Sequence, residues 1–158
     1  MIRNACVADV PVIRDMIREL AEYEKEPGEA RATEEQLREA LFGERPAVFG
    51  LIAESEAGEP VGFAVWFLSF STWRGAHGIY LEDLYVRPGA RGGGHGKALL
   101  AELARTCVER GYERLEWSVL DWNTPAVDFY RSVGAVPMDG WSVNRLTGGA
   151  LRGLAGTQ

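Results

Sequence analysis

Val10, Ile13, Ile17, Leu20 and Ala21 recur three and four residues apart, the spacing that lays one apolar stripe along a helix. Asp9 ahead of them reads as an N-cap and Pro11 falls in the first turn, so a helix is predicted from Asp9 to about Glu24. Glu26-Pro27-Gly28-Glu29 breaks it. Thr33 and Gln36 have the spacing of a capping box for a second helix through Leu37, Ala40 and Leu41, which Gly43 to Pro46 ends. The pattern then becomes that of strands. Val48 to Glu54 and Pro60 to Phe70 flank the turn Ala57-Gly58-Glu59, and Ile79 to Val86 follows a loop holding Trp73, Gly75 and Gly78. Ala98, Leu100, Leu103, Ala104, Cys107 and Val108 mark the longest helix, with Gly111 as its stop signal. Glu113 to Leu120 reads as a strand. Asn123 or Thr124 caps a further helix with Ala126, Phe129, Tyr130 and Val133 on one stripe, ended by Gly134. Ala135 to Pro137 and Trp141 to Leu146 read as short closing strands, and the Gly- and Ala-rich stretch from Thr147 onward as loosely held.

The order is two helices, three strands, helix, strand, helix, strand, without repeat or linker. It predicts one α/β domain over residues 1–158, with helices on both faces of a mixed, mostly antiparallel sheet of six to seven strands and a strand-helix-strand crossover in the second half. The length of 158 residues suits one domain with a proper core. A net charge of −6 argues against a nucleic-acid partner, which normally meets a basic excess. The longest apolar run, Phe63 to Leu68, is strand-sized, so no membrane partner is expected. Cys6 and Cys107 are far apart; Cys107 lies on the helix stripe as a buried thiol. Met1 to Ala5 lacks the apolar stretch of a signal peptide, and the reducing cytoplasm is the expected compartment. Two histidines give no basis for a zinc site.

Candidate chemistry centres on residues 80–100, Tyr80-Leu81-Glu82-Asp83-Leu84-Tyr85-Val86 followed by Arg87-Pro88-Gly89-Ala90-Arg91-Gly92-Gly93-Gly94-His95-Gly96-Lys97-Ala98-Leu99-Leu100. This is a strand, a glycine-rich turn and a helix start. Backbone N–H groups at such a turn and at a helix N-terminus suit a phosphate, and Arg91 and Lys97 add positive charge. Spacing excludes a P-loop, because Arg91 stands where its first Gly belongs and Ala98 replaces the metal-binding hydroxyl. The dinucleotide fingerprint fails too: its last glycine would fall on Lys97.

Arg91-Gly92-Gly93-Gly94-His95-Gly96 has the form Arg-x-x-Gly-x-Gly, and it resembles the acetyl-coenzyme A signature of the GNAT superfamily of N-acetyltransferases. A second block, Asn123-x-x-Ala126-x-x-Phe129-Tyr130-x-x-x-Gly134-Ala135, has that superfamily's spacing. Leu20 to Glu24, Phe70 to Gly75, Tyr80 to Asp83 and Asp121-Trp122-Asn123 resemble the diamine (spermidine/spermine) acetyltransferase branch. Ser71-Thr72-Trp73 departs from the polyamine enzymes, which carry an acid where Ser71 stands, and it has the form of the related thialysine acetyltransferases.

The resemblance implies transfer of acetyl from acetyl-CoA to a primary amine of a small substrate, with no metal. A lysine-like amine, with a pKa of about 10.4, is almost wholly protonated at pH 7 and must lose a proton before it attacks. Glu82 is implied as the general base, against the alternative of a solvated strand carboxylate. Asp83 is expected on the opposite strand face unless a bulge re-aims it; the resemblance implies such a bulge, and Asp83 either contacts the amine or is structural. The backbone N–H of Leu84 is implied to polarise the thioester carbonyl, and Tyr85 and Val86 to complete the cofactor strand. Arg91, Gly92, Gly93, Gly94, His95 (through its backbone), Gly96 and Lys97 are implied to hold the pyrophosphate. Tyr130 is implied as the general acid for the departing thiolate, against a core aromatic. Asn123 is a helix cap, a cofactor ligand or both. Tyr23, Glu24 and Trp73 are candidates for the amine pocket, since an acid and aromatic faces suit an ammonium. The family implies a homodimer, to which Trp141 and Val143 would contribute. Acetylation of a protein lysine or N-terminus, and a non-catalytic acyl-CoA sensor on the same fold, are the alternatives.

Overall fold

The computed structural model describes residues 1–157. The chain divides into two compact units, Met1–Leu120 and a second that begins at Asp121. In the first, β1 (Ile2–Asn4) leads to α1 (Val10–Tyr23) and α2 (Glu34–Phe42). β2 (Phe49–Glu54), β3 (Pro60–Ser71) and β4 (Ala76–Val86) follow, then α3 (His95–Arg110) and β5 (Leu115–Trp117). The second contains α4 (Thr124–Ser132) and α5 (Gly148–Leu154). The sheet runs β1-β2-β3-β4-β5. Its first three pairings are antiparallel and β4–β5, joined through α3, is parallel. No helix among the described residues is long and apolar enough to cross a membrane.

Alternation along the strands gives each sheet face its own helices. Ile52, Phe63 and Tyr85 stand side by side across β2, β3 and β4 and pack with Ile13 and Met16 of α1 and Leu41 of α2. Burying a side chain of this size is worth about 1.5–3 kcal/mol. Ala64, Trp66 and Leu81 belong to the other face, where the Arg110 guanidinium at the end of α3 lies 5.8 Å from the Trp66 ring centroid. α3 buries Leu99, Leu100, Leu103 and Cys107. Val108, assigned to that stripe by spacing, is 81% exposed.

Several local expectations hold. Thr33 Oγ1 accepts from the Gln36 N–H while Gln36 Oε1 accepts from the Thr33 N–H, and Gly111 ends α3 at φ +73°. The strand count does not hold. Five strands form instead of six to seven: among the described residues 135–137 and 141–146 carry none, and the predicted strand 113–120 is reduced to Leu115–Trp117. Propensity describes how side chains suit a pleated surface; a strand also needs a paired neighbour. β1, by contrast, gives no periodic signal in three residues but pairs Ile2 with Ala53 and Asn4 with Leu51. The stretch after Thr147 forms α5.

Asp9 is a second correction. It precedes α1 but gives that helix no side-chain cap. Its carboxylate instead accepts from Arg3 Nη1 at 2.7 Å and Nη2 at 2.9 Å, and from the Cys6 N–H at 2.7 Å. Arg3 Nε also pairs with Glu54. A guanidinium fork outcompetes a helix N-terminus for a carboxylate, and this one ties β1 to the start of α1 and the end of β2.

Candidate active site

The central feature is a bulge in β4. Trp66 faces Leu81 and Val65 faces Asp83, so Glu82 is an extra residue with no partner on β3. Strict alternation would send Glu82 and Asp83 to opposite faces. Here Tyr80 stands beside Phe67, with ring centroids 5.1 Å apart; Glu82, two residues on, shares that face. Asp83 stands opposite Val65, which packs against the α1-side core. The bulge thus turns both carboxylates toward α1.

Glu24 follows the last residue of α1 and completes an acidic group. Burial pushes its carboxyl upward. The Asp83 carboxyl is pushed up to about 6, first by burial and then by the negative charges of Glu82 and Glu24. Asp83 is half-buried and Glu82 exposed. No salt bridge among the described residues engages any of the three. Like charges held together in partly dry surroundings raise the affinity for a proton or an ammonium.

Beyond the bulge, no described strand of the first unit pairs with β4 on its β5 side. β5 pairs only with Ile79, Tyr80 and Leu81. The Arg87 N–H donates to Val61 O at 2.8 Å, so the backbone groups of Tyr85 and Arg87 face β3. Leu84 and Val86, in alternation, turn theirs away from β3, where Arg91 Nε reaches Val86 O. The Leu84 N–H therefore points where no strand accepts it, as an oxyanion donor requires. The Tyr85 side chain has another duty: it lies in the core, edge-on to Phe63 at 6.4 Å.

A short 3₁₀ turn, Pro88–Ala90, leads to the glycines. Gly92 and Gly94 take φ +86° and +81°, a region that L-residues with side chains adopt only under strain. Gly94 is the N-cap of α3 and brings no side chain to cap it. The first N–H groups of α3, on His95, Gly96 and Lys97, thus lack an internal acceptor. The helix dipole adds positive potential there, which suits a phosphate. Lys97 is exposed and His95 half-buried. The Arg91 side chain folds back: its Nε donates to Val86 O at 3.0 Å. Its guanidinium lies 5.2 Å from the Tyr23 ring centroid and 5.9 Å from that of Tyr85. Tyr23, expected in the amine pocket, thus offers a ring face to Arg91.

The acids of α1 and β4 and the glycine turn therefore belong to the same unit. Trp73 does not join the acids. It lies in the β3–β4 loop, 87% exposed, past Ser71 and so at least five strand positions beyond Trp66, about 17 Å along the sheet. Ser71 Oγ there accepts from the Arg74 N–H and from Arg114 Nη2. In the second unit Asn123 is buried, and its Oδ1 accepts from the Ala126 N–H at 3.4 Å as the N-cap of α4. Tyr130 is half-buried on α4, its ring 5.5 Å from that of Phe129.

Sequence reasoning missed Glu19 and Arg87. Glu19 Oε2 accepts from Arg87 Nη2 at 2.9 Å, both Glu19 oxygens lie 3.2 Å from Arg87 Nε, and Oε1 accepts from the Tyr85 hydroxyl at 3.2 Å. The pair is 68 residues apart in sequence, so no local pattern announces it.

Residues 13–135 match the Acetyltransferase (GNAT) family. The chain is 43% identical to the thialysine N-epsilon-acetyltransferase of Bos taurus, over 99% of this chain and 97% of that one. It is 30% identical to the L-ornithine N5-acetyltransferase of Arabidopsis thaliana, over 97% and 86% respectively. An integron cassette protein from the mobile metagenome of V. cholerae superposes with a TM-score of 0.81 at 28% identity, over 98% of this chain and 96% of that one. With a family match over most of its length, a near full-length relative at 43% identity and the signature turn in place, the chain belongs to the GNAT family of acetyltransferases.

Proposed function

We propose that the protein acetylates the terminal amine of a small, lysine-like cationic substrate. The observation that carries this reading is the bulge that turns Glu82 and Asp83 to one face, with Glu24 close enough to raise Asp83 further. Three carboxylates without a cation of their own suit an ammonium group. Two relatives support the substrate class, since the names of both describe acetylation of a terminal side-chain amine of a basic amino acid. A diamine fits the same acids, but Ser71, beside Arg114, provides no further carboxylate at the loop.

Acetyl-CoA supplies the acetyl group as a thioester when bound, as the GNAT fold implies, and the uncapped start of α3 fits its pyrophosphate. Arg91, Gly92, Gly93, Gly94, His95, Gly96 and Lys97 would hold the phosphates, with Leu84 and Val86 turning their backbone groups to the cofactor and Tyr85, paired to β3, keeping the strand in register between them. Glu24 and Asp83 attract the ammonium. Glu82, exposed at the bulge, takes its proton, so that the nitrogen lone pair forms the amide bond while the carbon–sulfur bond breaks. The Leu84 N–H stabilises charge on the carbonyl oxygen. Tyr130 gives its phenolic proton to the departing sulfur, a role resting on its motif, and the second proton that leaves the nitrogen as the amide forms restores the phenol through solvent; Asn123 adds a cofactor contact to its capping role.

The family match crosses the division at Leu120, which supports reading 1–158 as one domain. The free thiols of Cys6 and Cys107 suit a cytoplasmic protein, and the family resemblance supports a homodimer. Thiol release from acetyl-CoA across a panel of thialysine, lysine, ornithine, spermidine and an aminoglycoside tests the proposal. Turnover is expected with the amino acids. Turnover of no small amine, with acetylation of a peptide instead, would replace this reading with the protein-directed one.

A further inference from the structure

Glu19 lies on α1 one turn before Tyr23, and its carboxylate reaches across to the end of β4. It receives Arg87 Nη2 at 2.9 Å and Nε at 3.2 Å, with the Tyr85 hydroxyl also at 3.2 Å. Arg87 is the first residue past β4. Its main-chain N–H is fixed to Val61 O and its Nη1 lies 3.5 Å from Pro60 O. It is also the N-cap of the Pro88–Ala90 turn, so it marks where the strand becomes the loop. Four residues later Arg91 sits over Tyr23 and Tyr85 and bonds back to Val86 O. Two α1 residues four apart, Glu19 and Tyr23, thus hold two arginines four apart at the root of the glycine turn. A loop anchored at one end only would sample many conformations and lose entropy on closing around a phosphate.

We infer that Glu19 is a positioning residue for coenzyme A. By gripping Arg87 and Tyr85 it fixes the root of the glycine turn, and through Tyr85 the seat of Arg91, before the ligand arrives. This rests on the acetyltransferase reading above. The Glu19 carboxylate bonds to Arg87 and Tyr85 and to none of the acids at the bulge, so its effect falls on the cofactor side of the proposed reaction. Arg87 and Glu19 are each about a third exposed, which limits what the ion pair contributes to stability.

The test compares Glu19→Gln, Arg87→Lys, Arg87→Met and the double variant Glu19→Gln/Arg87→Met with the wild type. The Kd for coenzyme A is read by calorimetry, the two KM values and kcat by thiol release, and Tm by thermal unfolding. Glu19→Gln is expected to weaken coenzyme A and raise the KM for acetyl-CoA about three- to tenfold, with kcat and the amine KM within twofold. Arg87→Lys keeps the charge but not the fork, and falls between. The double variant loses no more than Arg87→Met alone, because the two residues act as one unit. An unchanged Kd in both Glu19→Gln and Arg87→Lys overturns the inference. So does a parallel loss in Kd, amine KM, kcat and Tm, which marks a merely structural contact. Arg87→Lys carries the test if Glu19→Gln fails to fold. A wild type that binds no coenzyme A overturns the proposed function and the inference with it; a wild type that binds it while both variants match it overturns the inference alone.

Discussion

Two groups of acids in the first unit are treated in opposite ways. At the N-terminal arm, Asp9 and Glu54 share Arg3. The Asp9 carboxyl is held below its usual range, first by the Arg3 hydrogen bonds and against the cost of burial. At the end of α1 and the bulge of β4, Glu24, Glu82 and Asp83 gather with no such cation, and Asp83 rises to about 6. The first arrangement neutralises itself and fastens three elements together. The second leaves negative charge for something that comes from outside. A carboxylate held down by a partner is architecture; one pushed up by burial and like charge costs stability and is suited to handling a proton.

The sharpest way to break this contrast is Glu82→Gln. Loss of a general base is expected to lower kcat by about 10²-fold or more, with coenzyme A affinity and Tm unchanged. Asp83→Asn is expected to act mainly on the amine KM. If Asp83→Asn instead abolishes kcat and the acidic limb of its pH profile while Glu82→Gln does neither, the base is Asp83. The reverse experiment strips the matched group. Arg3→Met leaves Asp9 buried without its partner and is expected to cost about 2–3 kcal/mol, or roughly 4–10 °C in Tm. Activity at 20 °C should persist. The stability that Arg3 confers through Asp9 is present above the unfolded carboxylate pKa and lost as pH falls through the lower folded value. The Tm difference from wild type should therefore shrink in acid. A milder effect of opposite sign is expected for Asp83→Asn. A raised folded pKa means that stability is lost as pH rises from the unfolded value toward 6. Removing that carboxyl should gain about 1–2 kcal/mol above pH 7, discounted for its solvent exposure, and nothing near pH 4. Equal Tm values for variant and wild type at pH 8 would show that Asp83 is not under electrostatic strain.

The sequence alone made the glycine turn of the candidate site legible, because such a turn is a local device. Gly94 must take a positive φ and Gly111 must stop a helix; both needs are visible in the neighbouring residues. The Thr33 and Gln36 box is local in the same sense. What escaped depends on register. Alternation alone puts the adjacent acids at 82 and 83 on opposite faces; the bulge that overrides it, implied only by the family resemblance, lies where Val65 and Trp66 skip one position between them. Asp9 looked like a cap until a guanidinium six residues earlier claimed it. Glu19 had no signal, since its partner lies 68 residues away. The two closing strands were read from propensity, which cannot supply the neighbouring edge that a strand requires.

The extra residue in β4 also divides the strand into two phases. Before it, the even position Tyr80 faces α1; after it, the odd positions Asp83 and Tyr85 do. A deletion of Glu82 would leave Leu81 opposite Trp66, Asp83 opposite Val65 and Tyr85 opposite Phe63. Tyr85 would keep its place beside Phe63 and its hydrogen bond to Glu19, and the α1 face would lose one acid and nothing else. The strand thus carries its additional carboxylate as an insertion that the hydrophobic core neither needs nor resists.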